Sequence, residues 1–276
     1  DFTAHLIYGY GDLEANTPLL QHVGVLDPET FDICQPVING SRAEGQCVSG
    51  LGYFDADSDF YDGESNLDPE VSVESQDVTL RLDWQLGEMM LTSITGYDDF
   101  EKDQSQDIDA SPFVGADNFT FNEVESISQE FRLAWDTSDQ MSWIVGGNYA
   151  NTEVDWFQTI NLTDLAGIPT SNGAEQETES WALFGQVEYS INEHWELIGG
   201  LRYTDEEREW NGATFVGDFA TLDQAYASGA PRLSQLPIPA DQPGAGGPLD
   251  FPTTQTEENL DFQAVVKYSP GDSGHY

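Results

Sequence analysis

Trp181 to Arg208 reads WALFGQVEYSINEHWELIGGLRYTDEER, two alternating segments that meet at a small polar turn. Side chains alternate across a strand, so Trp181, Leu183, Val187 and Tyr189 share one face while Ala182, Phe184, Gln186 and Glu188 share the other. On the second segment Trp195, Leu197, Leu201 and Tyr203 form one row, and Glu196, Ile198, Arg202 and Thr204 the opposite row. Tyr189 and Trp195 flank the Ser190 to His194 turn on the apolar face, where an aromatic girdle sits at a membrane interface. The stretch predicts a transmembrane β-hairpin.

Working outward, the same alternation recurs near residues 1–10, 76–84, 89–100, 122–135, 141–157, 177–189, 195–209 and 258–268. The connections run to about 65, 4, 21, 5, 19, 5 and 48 residues. Long and short alternate, as in an up-and-down barrel with long loops at one end and short turns at the other. A soluble sandwich seldom keeps that parity, because its loops at both ends are short.

The predicted class is therefore all-β: an antiparallel transmembrane β-barrel segment of about eight strands, up-and-down, with long extracellular loops and short periplasmic turns. Phe2 to Tyr10 opens the chain inside a strand, and His275 with Tyr276 reads as the start of another, so an internal fragment and an open sheet are expected. No basic n-region and apolar h-region open the chain.

The faces follow the same parity. Val78, Leu80, Leu82 and Trp84 form an apolar row, as do Ile127, Phe131, Leu133 and Trp135, then Trp143, Val145, Gly147 and Tyr149, and later Leu260, Phe262, Ala264, Val266 and Tyr268. In 89–100 the faces are less distinct, with Leu91, Thr95 and Tyr97 placed outward. Trp84, Trp135, Trp143 and Trp195 stand beside short turns and are expected to form the periplasmic aromatic girdle. Arg81 with Asp83, Glu130 with Arg132, Glu188, Arg202 and Lys267 fall on the opposite, lumen-facing side, either as cross-strand ion pairs or as contacts to a domain inside the barrel. Glu123, Glu125, Glu153, Asp155, Glu177, Glu179, Glu206, Glu207, Glu209 and Glu258 fall at the loop-side strand ends, an acidic outer rim.

Eight Lys plus Arg stand against 51 Asp plus Glu, a net charge of −43. Such a charge repels nucleic-acid phosphate, so no nucleic-acid partner is expected. It is tolerated either through adaptation to saline water or through cations held by surface loops. With 38% hydrophobic and 12% aromatic residues the chain is too rich for disorder, while a mean hydropathy of −0.44 hides any barrel strands from hydropathy windows.

Cys34 and Cys47 lie in a segment bearing Gly, Pro and Asn. A disulfide closing the first long loop is expected, with Pro36, Gly40 and Gly45 as places to turn; two free thiols are the alternative. A zinc site lacks the usual ligand spacing.

WALFGQVEY, GGLRYTDEER, LTSITGYDDF from Leu91 to Phe100 and SQEFRLAWD from Ser128 to Asp136 resemble, in order and spacing, the outer-membrane barrel of TonB-dependent receptors. The resemblance runs from about residue 75 to the end. It implies a Gram-negative outer-membrane barrel of roughly 22 strands that is plugged by an N-terminal domain and imports siderophores, cobalamin or glycans with energy relayed through TonB. Residues 1–276 are then part of one barrel domain, with the plug and TonB box outside it. The partners implied are outer-membrane lipid, the plug of the same protein, the TonB complex through parts outside this chain, and a small ligand. A plug-less porin and a secreted cation-binding β-protein such as an adhesin or lectin are the alternatives.

No enzyme, cofactor or metal set is expected. Gly271 to Gly274 spell GDSG, part of a serine-protease signature, yet without that fold's other signatures the tetrapeptide reads as a polar turn. Asp55, Asp57, Asp59 and Asp62 suggest a calcium loop, but Phe60 stands where such a loop needs glycine and Asn66 where it needs glutamate. His5, His22, His194 and His275 are scattered, and no metalloprotease, nucleophile-elbow or Walker sequence occurs.

Overall fold

A computed structural model describes residues 1–18, 20–40, 46–55, 63–232 and 253–270. Each alternating segment is a strand: β1 Phe2–Asn16, β2 Glu70–Leu86, β3 Met89–Asp107, β4 Asp117–Ser138, β5 Met141–Leu162, β6 Ile168–Asn192, β7 Trp195–Val216 and β8 Thr253–Tyr268. They form one antiparallel sheet in sequence order, β1 to β8, whose two outermost strands do not pair with one another. Among the described residues no helix is long and apolar enough to cross a membrane.

Three hairpins close through two-residue turns at 87–88, 139–140 and 193–194. Gly87 supplies the positive φ of +68° that its turn requires. At the third turn Asn192 Oδ1 accepts the backbone N–H groups of His194 at 2.9 Å and Trp195 at 3.1 Å, an Asx turn that reverses the chain.

The strands reach farther at the other end than alternation predicts. β4 begins at Asp117, β5 ends at Leu162 and β6 begins at Ile168. The connection of about 19 residues expected between β5 and β6 is therefore corrected to 163–167. It holds one helical turn, α1 Thr163–Ala166, closed by Gly167 at φ 75°. The strict long–short alternation weakens accordingly: 17–69 and 217–252 are long, whereas 108–116 is intermediate.

Sheet register gathers the predicted rows onto common faces. Phe2, Trp84, Leu91, Leu133, Val145, Gly185, Leu201 and Phe262 pair successively across all eight strands and so share one face. That face is apolar and bare: Phe262 is 84% exposed and Leu183 60%. The larger cluster of buried apolar residues among the described residues lies instead at the loop end. There α2, Leu222–Ser228, sets Leu222 and Ala225 against Phe157, Ala213 and Phe215. Thr221 caps α2 by accepting Gln224 N–H at 3.2 Å.

The GDSG tetrapeptide, His275, Tyr276, Asp57, Asp59, Phe60, Asp62, Gly45 and most of the Pro- and Gly-bearing stretch after Pro231 lie outside the described residues.

Candidate functional site

The sheet carries two chemically different faces. On the first, the apolar band spans Val78 to Trp84 on β2, Ile127 to Trp135 on β4, Trp181 to Tyr189 on β6 and Leu260 to Tyr268 on β8. A strand tilted in a bilayer needs about 9–11 residues to cross, so the band has the width of a hydrocarbon layer. Trp84, Trp135, Trp143 and Trp195 all lie on this face at the short-turn end, and Trp135 meets Trp143 edge-on at 5.4 Å between ring centroids. Trp195 meets Tyr268 with its ring tilted, 4.7 Å between centroids.

The band slides along the ladder. Trp84 lies in the row of Leu201, whereas Trp195 stands six residues closer to the turn end of β7. Its upper limit slides the same way: the row of Val78 meets β7 at Glu207, yet the band on β7 ends at Tyr203, below the acidic rows. Both limits shift together because the strands are inclined to the layer, as in a barrel.

Above the band the first face turns acidic. Asp99, Glu125, Glu153, Glu177 and Glu209 pair across five successive strands. One row higher, Asp12, Glu74, Glu101, Glu123, Asp155 and Glu175 pair across six. Like charges directly opposite one another destabilise a sheet. Burial pushes the Glu123 carboxyl above its ordinary range, and Asp155 and Glu101 push it further; Glu175 is raised chiefly by burial. The acidic rim read from the sequence is thus part of the sheet, in register.

The second face is polar. Arg81, Lys102, Arg132, Arg202, Arg208 and Lys267 are the basic residues borne by strands, and all fall on it. The expected cross-strand ion pairing needs correction for three of them: Arg81 binds Asp83 at 2.8 Å and Arg132 binds Glu130, each two residues along the same strand, while Arg202 donates to the neutral Thr204 and Asn148. Lys267 does bind across strands, to Glu196 at 2.8 Å, while Glu188 accepts from Gln186 at 2.9 Å. Lys102 and Arg208 join the expected set: Lys102 lies past the expected strand end at 100, whereas Arg208 lies within the expected 195–209, where parity already places it on this face.

The loops form a second layer. Cys34 and Cys47 are joined, with Cα atoms 6.0 Å apart, and both are buried. Bridges from Leu26 to Ile33 and to Val48 hold the flanking chain. The Asp27 carboxyl is held below its ordinary range because Thr30 and Glu29 N–H groups donate to it. The first loop leans on the β3–β4 connection. Ser65 Oγ donates to Asp107 at 2.8 Å, Asn66 donates to Asp117 at 2.8 Å, and His22 Nδ1 lies 3.0 Å from the Asp109 carbonyl oxygen. The β5–β6 turn joins them, since Val114 N–H donates to Asp164 at 2.9 Å.

Beside this layer a cavity of about 750 Å³ opens on the first face, walled by Glu14, Ser72, Asp103, Phe121, Phe157 and Phe219 among others. Asp107, Asp109 and Asp117 are gathered as well, which the sequence reading did not foresee. Their only sequence signal is the Asp-x-Asp at 107–109, and Asp117 joins it through the hairpin register, where Asp107 pairs with Asp117.

Comparison with known proteins adds the following. The family described as TonB dependent receptor-like, beta-barrel matches residues 20–236. Among solved structures, the ferric yersiniabactin uptake receptor FyuA from Yersinia pestis superposes with a TM-score of 0.47 at 12% identity, over 72% of this chain and 26% of that one. The chain thus spans about a quarter of the length of that receptor.

Proposed function

The chain belongs to the TonB-dependent receptor β-barrel family, and from that premise we propose that it is barrel wall and ligand-capturing loop in an outer-membrane receptor that imports a small scarce ligand. The observation that carries this reading is the first face: an apolar band one bilayer wide, limited by tryptophans below and carboxylates above, continuous over eight strands. A face so large and bare has no stable place in water, and lipid is its natural solvent.

On this reading residues 1–276 are part of one barrel domain in the outer membrane of a Gram-negative bacterium. Arg81, Glu130, Arg132, Glu188, Arg202 and Lys267 face the lumen, where the plug of the same protein and the passing ligand would meet them. Their mixed signs and neighbouring Asn, Gln, Ser and Thr suit a polar ligand held by several hydrogen bonds rather than by one dominant charge. Siderophores, cobalamin and glycans all fit that description. The wall supplies no chemistry of its own, and energy reaches it through the TonB complex by way of parts outside this chain.

The test is uptake by the intact protein in TonB-competent and TonB-deficient cells, with labelled ferric siderophores, cobalamin and oligosaccharides supplied singly. Accumulation of one ligand class in competent cells alone is expected. Equal passive flux in both strains would replace the reading with a porin, and recovery of the protein in the soluble fraction would overturn it.

A further inference from the structure

We infer that Asp107, Asp109 and Asp117 bind one divalent cation of the calcium class, which locks the first loop to the β3–β4 connection. One carboxylate oxygen from each lies within 4.8 Å of the others. That is the greatest separation two ligands can have around a shared ion at about 2.4 Å from each, the middle of the calcium–oxygen range. Asp107 is 4% exposed and Asp117 5%, so the group sits inside the protein and not on an acidic surface.

Hydrogen bonds orient the carboxylates without neutralising them. Asp107 accepts from Ser65 Oγ at 2.8 Å and Ala110 N at 2.7 Å; Asp109 accepts from Ser111 Oγ and from Ala116 N at 2.6 Å; Asp117 Oδ2 accepts from Asn66 at 2.8 Å. Every one of these donors is uncharged, and none of the ion pairs among the described residues involves the three aspartates.

One acceptor is left over. Asp117 Oδ1 is buried and has no hydrogen-bond partner among the described residues. Buried polar groups are almost always paired, and a buried carboxylate oxygen is among the costliest to leave alone. A cation between the three carboxylates would satisfy this oxygen and offset their mutual repulsion together. Oxygen-only donors suit a hard ion, and Asn66 and Ser65 make the first loop respond to it.

The site stands apart from the transport reading, since it would operate whatever ligand the receptor imports. Its test is hydrogen–deuterium exchange on the intact receptor in detergent, with calcium chloride, magnesium chloride or a chelator. With calcium, segments 63–67 and 107–117 should gain at least tenfold protection relative to the chelated protein, while β6 and β7 below the acidic rows stay unchanged. Asp117→Asn should abolish that gain and leave β6 and β7 protected as before, which shows that the variant is folded. Three outcomes would overturn the proposal: equal exchange with calcium and chelator in the unaltered receptor, a gain spread evenly over every acidic loop, or a gain with magnesium as large as with calcium. None of the three needs a variant.

Discussion

Arg202 on β7 donates from Nη2 to Asn148 Oδ1 on β5 at 3.1 Å, passing over the Phe184 ring of β6 at 5.7 Å from its centroid. One side chain thereby ties three strands. Arg202 Nε also donates to Thr204 at 3.1 Å, so the guanidinium is fixed at both ends. Arg202→Met keeps the stem over Phe184 but removes the donors. Hydrogen bonds from a charged group contribute about 1.5–3 kcal/mol, and the half-buried setting places the expected loss at the lower end of that range. Urea unfolding of the intact protein in lipid vesicles measures it, with Arg202→Lys expected to recover only part because it lacks the planar fork.

The two faces should differ sharply in tolerance to charge. Leu183 lies on the bare apolar face and Gln186 on the polar one. Leu183→Arg is expected to cost roughly 2–4 kcal/mol near the bilayer midplane, and Gln186→Arg much less. Folding titrations in vesicles measure both, and equal costs would contradict the assigned faces.

The carboxylate rows should respond to acid in the direction opposite to a paired carboxylate. Glu123 and Glu175 have raised pKa values, chiefly through burial and then through facing carboxylates. Their charged forms oppose folding above the folded-state pKa. As pH falls through that raised value toward the ordinary 4.5, the folded state binds protons before the unfolded one and stability rises. Exchange protection of 119–125 and 173–177 in the intact receptor should therefore be higher at pH 5 than at pH 7.5, and Glu123→Gln should flatten the profile.

Removing the disulfide should loosen the first loop and spare the wall. Cys34 and Cys47 pack with Val37 in a cluster separate from the strands. Closing a loop of this size contributes about 3 kcal/mol in the chain-entropy model, felt within 25–48. The double variant Cys34→Ala with Cys47→Ala should assemble at the normal level but show faster proteolysis of the first loop and weaker ligand capture.

The band was legible in the sequence because lipid demands apolar residues at every second position, and Trp181 to Tyr203 show that demand without interruption. Above the band the signal fades. In 168–176 both faces carry polar residues and in 210–216 both carry apolar ones, so period two singles out neither face there and predicts shorter strands. The 163–167 turn was hidden for the same reason. Asp107, Asp109 and Asp117 escaped because their meeting depends on the β3–β4 register and on Ser65 and Asn66 from a loop far away in sequence. A local spacing rule exists for the acidic stretch from Asp55, and none exists for a site assembled across a hairpin.

The six strand-borne cations and the eleven carboxylates of the two rows look in opposite directions. At physiological salt a charge is felt over a screening length of about 8 Å, less than the distance through a wall with side chains on both sides. A solute on one side therefore meets carboxylates with no cation among them, and a solute on the other meets cations interspersed with carboxylates, although the chain as a whole carries −43. Net charge here describes neither surface, and an anion kept away from the outside would be received differently within.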